Sequence, residues 1–164
     1  MSQWYNILQN EKTSINWSYF YRVLPTTLKS LANSLLAQIE KQKYQTKYEK
    51  LTIKPPIFIL GHWRSGTTLL QNILSNDYRF TSPNLYQTTN PKTFLVSEET
   101  VITKLFSYLV PKHRLFDHVP FGLKSPHEDE FIAWHSSGLT SYMGWNFPNA
   151  AKHFDRYLTF RAGT

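Results

Sequence analysis

The sequence predicts an α/β fold, a parallel sheet with flanking helices preceded by a helical lead-in. Three observations carry this. Residues 57–60 read "IFIL", an uninterrupted apolar run bounded by Pro55-Pro56 and Gly61. Short runs without polar alternation are expected of strands covered on both faces. A loop with glycines at 61 and 66 follows at once. Leu69, Leu70, Ile73 and Leu74 then recur at helical spacing, so a helix is expected to start near Ser65 to Thr67. Strand, glycine loop and helix in that order form the context in which phosphate groups are held.

The other elements follow in chain order. Residues 1–24 are aromatic and mixed and carry no motif. Pro25 is expected to open a helix with Leu28, Leu31, Ala32, Leu35, Leu36 and Ile39 on one face. The ordinary reading of such a stripe is a core-facing one, with a membrane or partner face as the alternative. "EKQKYQTKYEK" continues it as a polar, exposed end, and the lead-in is taken as residues 1–54. "TSPNLYQTTNPKTF" reads as loop. Val101, Ile102, Leu105, Phe106 and Leu109 predict a helix closed by Pro111. "HRLFDHVPFGLKSP" again reads as loop. Ser125, Pro126 and Glu128 have the spacing of a capping box, which would start a helix burying Phe131, Ile132, Trp134 and His135. "RYLTF", residues 156–160, is a weak second strand.

Composition narrows the function. Of the 164 residues, 41% are hydrophobic and 16% aromatic, enough for a packed core and too apolar for a disordered chain. There are no cysteines, which excludes disulfides, zinc-thiolate sites and a thiol nucleophile. The formal net charge of +7 favours anionic partners: nucleic acid, a membrane surface, or phosphorylated and sulfated small molecules. Lys41, Lys43, Lys47, Lys50 and Lys54 form one basic cluster, read as a solvated helix end. No run of about 18 apolar residues exists to form a membrane span. The N-terminus lacks a signal-peptide pattern, and the expected location is cytoplasmic.

The chemistry sits in Gly61-His62-Trp63-Arg64-Ser65-Gly66-Thr67-Thr68. It has the G-x-x-x-x-G skeleton of a P-loop, with Thr-Thr where Lys-Ser/Thr is usual. Glycines let the backbone curl so that successive N–H groups face one anion, and the helix N-terminus adds free donors and partial positive charge. Thr67 and Thr68 add hydroxyls, and Arg64 supplies a planar cationic fork suited to phosphate oxygens. The lysine that reaches a nucleotide's β- and γ-phosphates is missing, as is an apolar strand ending in a Mg²⁺-holding Asp. The loop therefore reads as phosphate-binding without triphosphate hydrolysis.

"PPIFILGHWRSGTTLLQNIL" resembles the 5′-phosphosulfate loop of the P-loop sulfotransferases. "RSGTTLL" is similar to the bacterial-type and tyrosylprotein-type branches, and "SPHEDEFIAW" resembles a segment of the bacterial-type branch. The resemblance covers residues 55–164, taken as the N-terminal half of such a domain, and more loosely residues 1–54. It implies a P-loop nucleotide-binding type sheet and transfer of a sulfuryl group from PAPS (3′-phosphoadenosine 5′-phosphosulfate) to a hydroxyl or amine, without a metal. By the same resemblance, Arg64, Ser65, Gly66, Thr67 and Thr68 would hold the phosphosulfate, and Arg64 would also neutralise the leaving phosphate. The acid that serves as base in the tyrosylprotein branch has no counterpart here. The candidates are Glu128 and Glu130, with Asp129, His62, His113, His118 and His127 behind them. Glu128 has an equal claim to a capping role.

The family's later Arg and Ser, which hold the 3′-phosphate, have no match before Thr164. The sheet is thus expected to be incomplete and the chain to be a truncated or split form, with a separately encoded C-terminal half as a candidate partner. Two other readings compete. A P-loop kinase or nucleotide-binding protein lacks support at the lysine position. A basic, non-enzymatic anion-binding module accounts for the charge but leaves the strand-loop-helix context unexplained. Nucleic acid is not the expected partner.

Overall fold

A computed structural model describes residues 5–6, 9, 18, 20–62, 64–108, 110–113, 121–137 and 140–158. The first long element is α1, Phe20–Tyr48, of 29 residues. Pro25 lies inside it rather than opening it, a correction to the expected start. Proline removes one ladder bond, and so near a helix end, where bonds are already incomplete, the helix survives. Glu40 is only 4% exposed and fastens α1 to α4, Phe94–Ser97. Its Oε2 accepts from the backbone N–H of Leu95 at 2.9 Å and of Val96 at 3.3 Å. Its Oε1 accepts from the Tyr48 hydroxyl at 3.3 Å. A carboxylate from one helix thus takes the N–H groups at the start of another, that of Val96 being shared with Thr93 O at 3.3 Å.

The stripe expected to face the core does not. Leu28, Leu31, Ala32, Leu35 and Ile39 are exposed and Leu36 is half-buried. Helical period says which residues share a face, and here the face that packs is the one bearing Glu40.

Residues 55–60 form no regular element, and Ile57, Phe58 and Leu60 are exposed. The doubly covered strand is therefore not formed, and no strand occurs among the described residues beyond isolated bridges. A strand needs a neighbour to ladder its backbone groups, and residues 57–60 have none here. Helices are present, but among the described residues there is no sheet for them to flank. The helix after the loop, α2, runs Thr67–Ser75 and starts where the pattern placed it.

The stretch 81–94, read as loop, contains α3, Leu85–Thr89. It carries a capping box. Asn84 accepts from Gln87 N–H at 2.9 Å, and the Gln87 side chain accepts from Asn84 N–H at 3.3 Å. The helix α5, Val101–Ser107, follows α4 as expected; Leu109 lies outside the described residues.

The capping box expected at Ser125 is absent. Residues 123–127 instead run against 83–86. Leu85 N–H donates to Ser125 O, Tyr86 N–H to Leu123 O and His127 N–H to Pro83 O. Asn84 and Pro126 form an antiparallel bridge. With its backbone used there, the segment cannot turn helical until α6, Glu130–Ser136, whose N-cap is Asp129. Helix α6 packs against α3. Its Phe131, Ile132 and Trp134 are half-buried and His135 is exposed.

The small apolar core is Met143, Ala150 and Phe154, with Trp134, Phe147 and Tyr157 against it. It joins α7, Met143–Asn146, to α8, Ala151–Phe154. A 3₁₀ turn, Asp155–Leu158, takes most of the weak second strand, whose last two residues lie outside the described set.

Candidate functional site

The loop of residues 61–66 is exposed at its described positions and leads directly into α2. Two left-handed residues make the turn: Arg64 with φ 62° and Gly66 with φ 91°. Glycine adopts this region freely, whereas arginine does so only when the surrounding turn enforces it. Ser65 N–H closes the turn on His62 O at 3.1 Å. The curl is tight: a Cβ on Gly61 would lie 2.5 Å from Ser65 Oγ and 2.7 Å from Thr67 Cγ2. Gly61 therefore permits the hydroxyl of Ser65 and the side chain of Thr67 to crowd one spot.

Gly66 is the N-cap of α2 and offers no side-chain acceptor to the helix. The first helical bond is Leu70 N–H to Gly66 O at 3.0 Å, so no carbonyl of the helix ladder takes the N–H groups before it. Thr67 and Thr68 are half-buried, and Arg64 and Ser65 are exposed. A guanidinium, hydroxyls and helix-start donors thus occupy one short segment. Their chemistry fits an anion with several oxygens.

One turn into α2, Gln71 turns toward the acidic segment. Its Nε2 donates to His127 O at 3.2 Å. The Ser75 and Ser82 hydroxyls pair at 2.9 Å and fix the helix's other end. Helix α2 is therefore tied to the segment that carries Glu128, Asp129 and Glu130. Sequence reasoning missed Gln71. Its signal was an amide interrupting the apolar residues Leu69, Leu70, Ile73 and Leu74 of the helix.

The acidic candidates differ in their surroundings. Glu128 is exposed and is hydrogen-bonded with the Tyr142 hydroxyl. Glu130 is half-buried and accepts from the Thr140 hydroxyl. Asp129 is exposed at the N-cap of α6 without a side-chain capping bond. Burial, then the charges of Glu128 and Glu130, the hydrogen bond to Glu128 and the charge of Asp129 push the Tyr142 phenol up from 10.0. Tyr142 therefore stays protonated and donates to Glu128.

The histidines divide similarly. His127 is buried, with Nδ1 3.3 Å from Thr88 Oγ1 and its ring edge-on to Phe131 at 4.5 Å. It is a structural pin. His62 and His113 are exposed, and His118 lies outside the described residues.

An aromatic cluster adjoins Glu128. Tyr142 stacks on Trp145 at 4.5 Å, and Trp134 meets both edge-on at 6.0 and 6.1 Å. Phe131 joins this cluster to His127 and so back to α2.

Comparison with known proteins identifies the family. Residues 55–155 match the sulfotransferase family. Two curated relatives are the omega-hydroxy-beta-dihydromenaquinone-9 sulfotransferases of Mycobacterium bovis and Mycobacterium tuberculosis. Each is 36% identical over 159 residues, covering 96% of this chain and 40% of the relative. The chain spans about two-fifths of the length of these relatives. No solved structure matches it.

Proposed function

We propose, from the premise that this chain belongs to the sulfotransferase family, that it carries the donor-binding part of a PAPS-dependent sulfotransferase. The observation that supports this most is the curled loop of residues 61–66 opening α2, with Arg64 and Gly66 both left-handed. Arg64, Ser65, Gly66, Thr67 and Thr68 hold the 5′-phosphosulfate. The loop N–H groups and hydroxyls take its oxygens, and Arg64 neutralises the charge that grows on the departing phosphate.

In the transfer, an acceptor oxygen or nitrogen forms a bond to sulfur while the bond from sulfur to the 5′-phosphate oxygen breaks. The leaving group is adenosine 3′,5′-bisphosphate. A base takes the acceptor's proton. Glu128 is our first choice because it is solvent-exposed and oriented by Tyr142. Glu130, engaged by Thr140, is the second. The two mycobacterial relatives are named for an omega-hydroxy acceptor, which favours a hydroxyl over an amine here. No metal takes part in this scheme, and the compartment is cytoplasmic.

We also propose that the 3′-phosphate site is supplied by further polypeptide, either continuous with this chain or encoded separately. Exposed Ile57, Phe58 and Leu60 are the apolar run that such polypeptide would cover.

The test replaces Arg64 with Ala and with Lys, in this chain and in its complemented form. Donor binding should fall about tenfold or more with Ala and be partly kept with Lys. Unchanged binding in Arg64→Ala would remove the loop from the donor site. Transfer rates of Glu128→Gln and Glu130→Gln separate the two bases. Full rate in Glu128→Gln with loss in Glu130→Gln would reverse the choice.

A further inference from the structure

We propose that α1 docks this protein on an anionic lipid bilayer through its exposed leucine stripe. Leu24, Leu28, Leu31, Leu35 and Ile39 are between 48% and 59% exposed. At 3.6 residues per turn they fall within an arc of about 80°. Large side chains in one narrow, unpacked row along a helix of 29 residues are not scattered surface leucines. The opposite face is already in use, because Glu40 is buried there against α4. Among the described residues, the stripe is what α1 leaves uncovered.

Charge selects the occupant. Lys29, Lys41, Lys43, Lys47, Lys50 and Lys54 are all exposed along and just beyond α1. Against them stand Glu40, which is buried, and Glu49, which is exposed. At 100° per residue, Lys43 and Lys41 flank the leucine arc on its two sides, whereas Lys29 and Lys47 fall on the side of Glu40. A leucine row with lysines over the rest of the helix has the make-up of one lying in the bilayer interface. The stems of Lys41, Lys43, Lys50 and Lys54 can reach past the apolar zone to lipid phosphates, and each lysine near an anionic surface adds to binding. The pattern also continues past the helix. Leu51 is 67% and Ile53 88% exposed, interleaved with Lys50 and Lys54. A partner helix would follow the helical row only, whereas a flat surface takes the irregular extension too. A parallel pairing of two copies would bring the lysine-rich ends together at a cost. No helix among the described residues is long and apolar enough to cross a membrane, so α1 lies on the surface.

This inference rests on α1 and not on the donor loop. Its test is flotation of the chain with vesicles of phosphatidylcholine alone, or with roughly one-third phosphatidylglycerol. Binding should be about tenfold or more tighter on the anionic vesicles and should weaken in 0.5 M salt, an ionic strength of roughly threefold the physiological value. Leu28→Ser with Leu35→Ser should cut that binding about tenfold or more. Lys41→Gln with Lys43→Gln and Lys47→Gln should abolish the preference for anionic vesicles. These lysines are exposed, so helix content by circular dichroism should stay unchanged. The lysine variants thus decide the matter even where the serine pair unfolds the chain. Soluble glycerol phosphate should not displace the protein, which separates a lipid surface from a free phosphate. Absence of binding, equal binding to both vesicles, or full binding by the lysine variants would overturn the proposal. A leucine-dependent dimer that ignores vesicles, or capture by an acidic peptide instead, would overturn it as well.

Discussion

Replacing Gly61 by Ala should damage ligand binding more than folding, and replacing Gly66 should do the reverse. At Gly61 the new Cβ would sit 2.5 Å from Ser65 Oγ and 2.7 Å from Thr67 Cγ2. Both atoms belong to side chains, so relief comes by turning them away. These are two of the groups assigned to the phosphosulfate. Forcing an extra methyl into such a spot costs about 1–3 kcal/mol. If that cost falls on the binding geometry, affinity for adenosine 3′,5′-bisphosphate drops by about 5- to 150-fold. The loop is exposed, so the denaturation midpoint should hardly move. At Gly66 a Cβ meets nothing within 4 Å, but φ is 91°. A side chain there costs about 1–2 kcal/mol in backbone strain, and the start of α2 should weaken by that amount. The assay pairs urea denaturation with ligand titration followed by tryptophan fluorescence. Trp63 belongs to the loop sequence and supplies the signal. Wild-type affinity in Gly61→Ala, with an unmoved midpoint, would refute the view that this crowded spot is the binding site.

Further outcomes follow from the surrounding contacts. Glu40→Ala should destabilise the chain by about 2–3 kcal/mol in urea, because two helix-start N–H groups lose a charged acceptor; Glu40→Gln should retain part of this, and equal losses would argue against the charge. Gln71→Ala should leave the denaturation midpoint within about 0.5 kcal/mol yet slow transfer in the complemented enzyme, since it ties α2 to the acidic segment. An unchanged rate would leave Gln71 a surface contact. His135 is exposed by area, yet desolvation by its packed neighbours, then the charges of Lys29 and His127, lower its pKa from 6.5 to about 4. The unfolded chain then binds a proton between these values that the folded chain does not. Stability should therefore be complete above pH 6.5 and decline as pH falls toward 4. His135→Gln should flatten that slope, and because the residue is exposed the effect is small.

The loop and the helix after it were legible because their physics is local. A glycine turn and an apolar 3.6 period need no distant partner to be recognised. Arg64, Ser65, Gly66, Thr67 and Thr68 accordingly stand where the pattern put them. Features that depend on distant chain were not legible. The stripe on α1 was identified correctly as a face, but what lies opposite Leu28 or Leu35 is a tertiary fact. Ser125-Pro126-His127-Glu128 satisfies a local capping rule, yet the backbone pairing of 83–86 claimed those groups first. The box that does form, at Asn84 and Gln87, was hidden in a stretch whose Thr, Pro and Asn content suggested loop. Residues 57–60 have a strand's composition without the neighbour that makes a strand. Gln71 and Tyr142 matter through contacts 56 residues away for one and with Glu128 for the other. No local pattern spans the first contact, and the 14 positions from Glu128 to Tyr142 match no local helical or strand spacing.

On the proposed reading, the loop of residues 61–68 binds PAPS without a metal. Equilibrium dialysis of radiosulfur-labelled PAPS in a chelating buffer tests it most directly, with the wild-type chain and Arg64→Ala side by side. Saturable binding that adenosine 3′,5′-bisphosphate displaces, ATP with Mg²⁺ displaces poorly, and Arg64→Ala loses is the predicted result. Tighter binding of ATP with Mg²⁺ than of PAPS, or equal PAPS binding by both proteins, would contradict it.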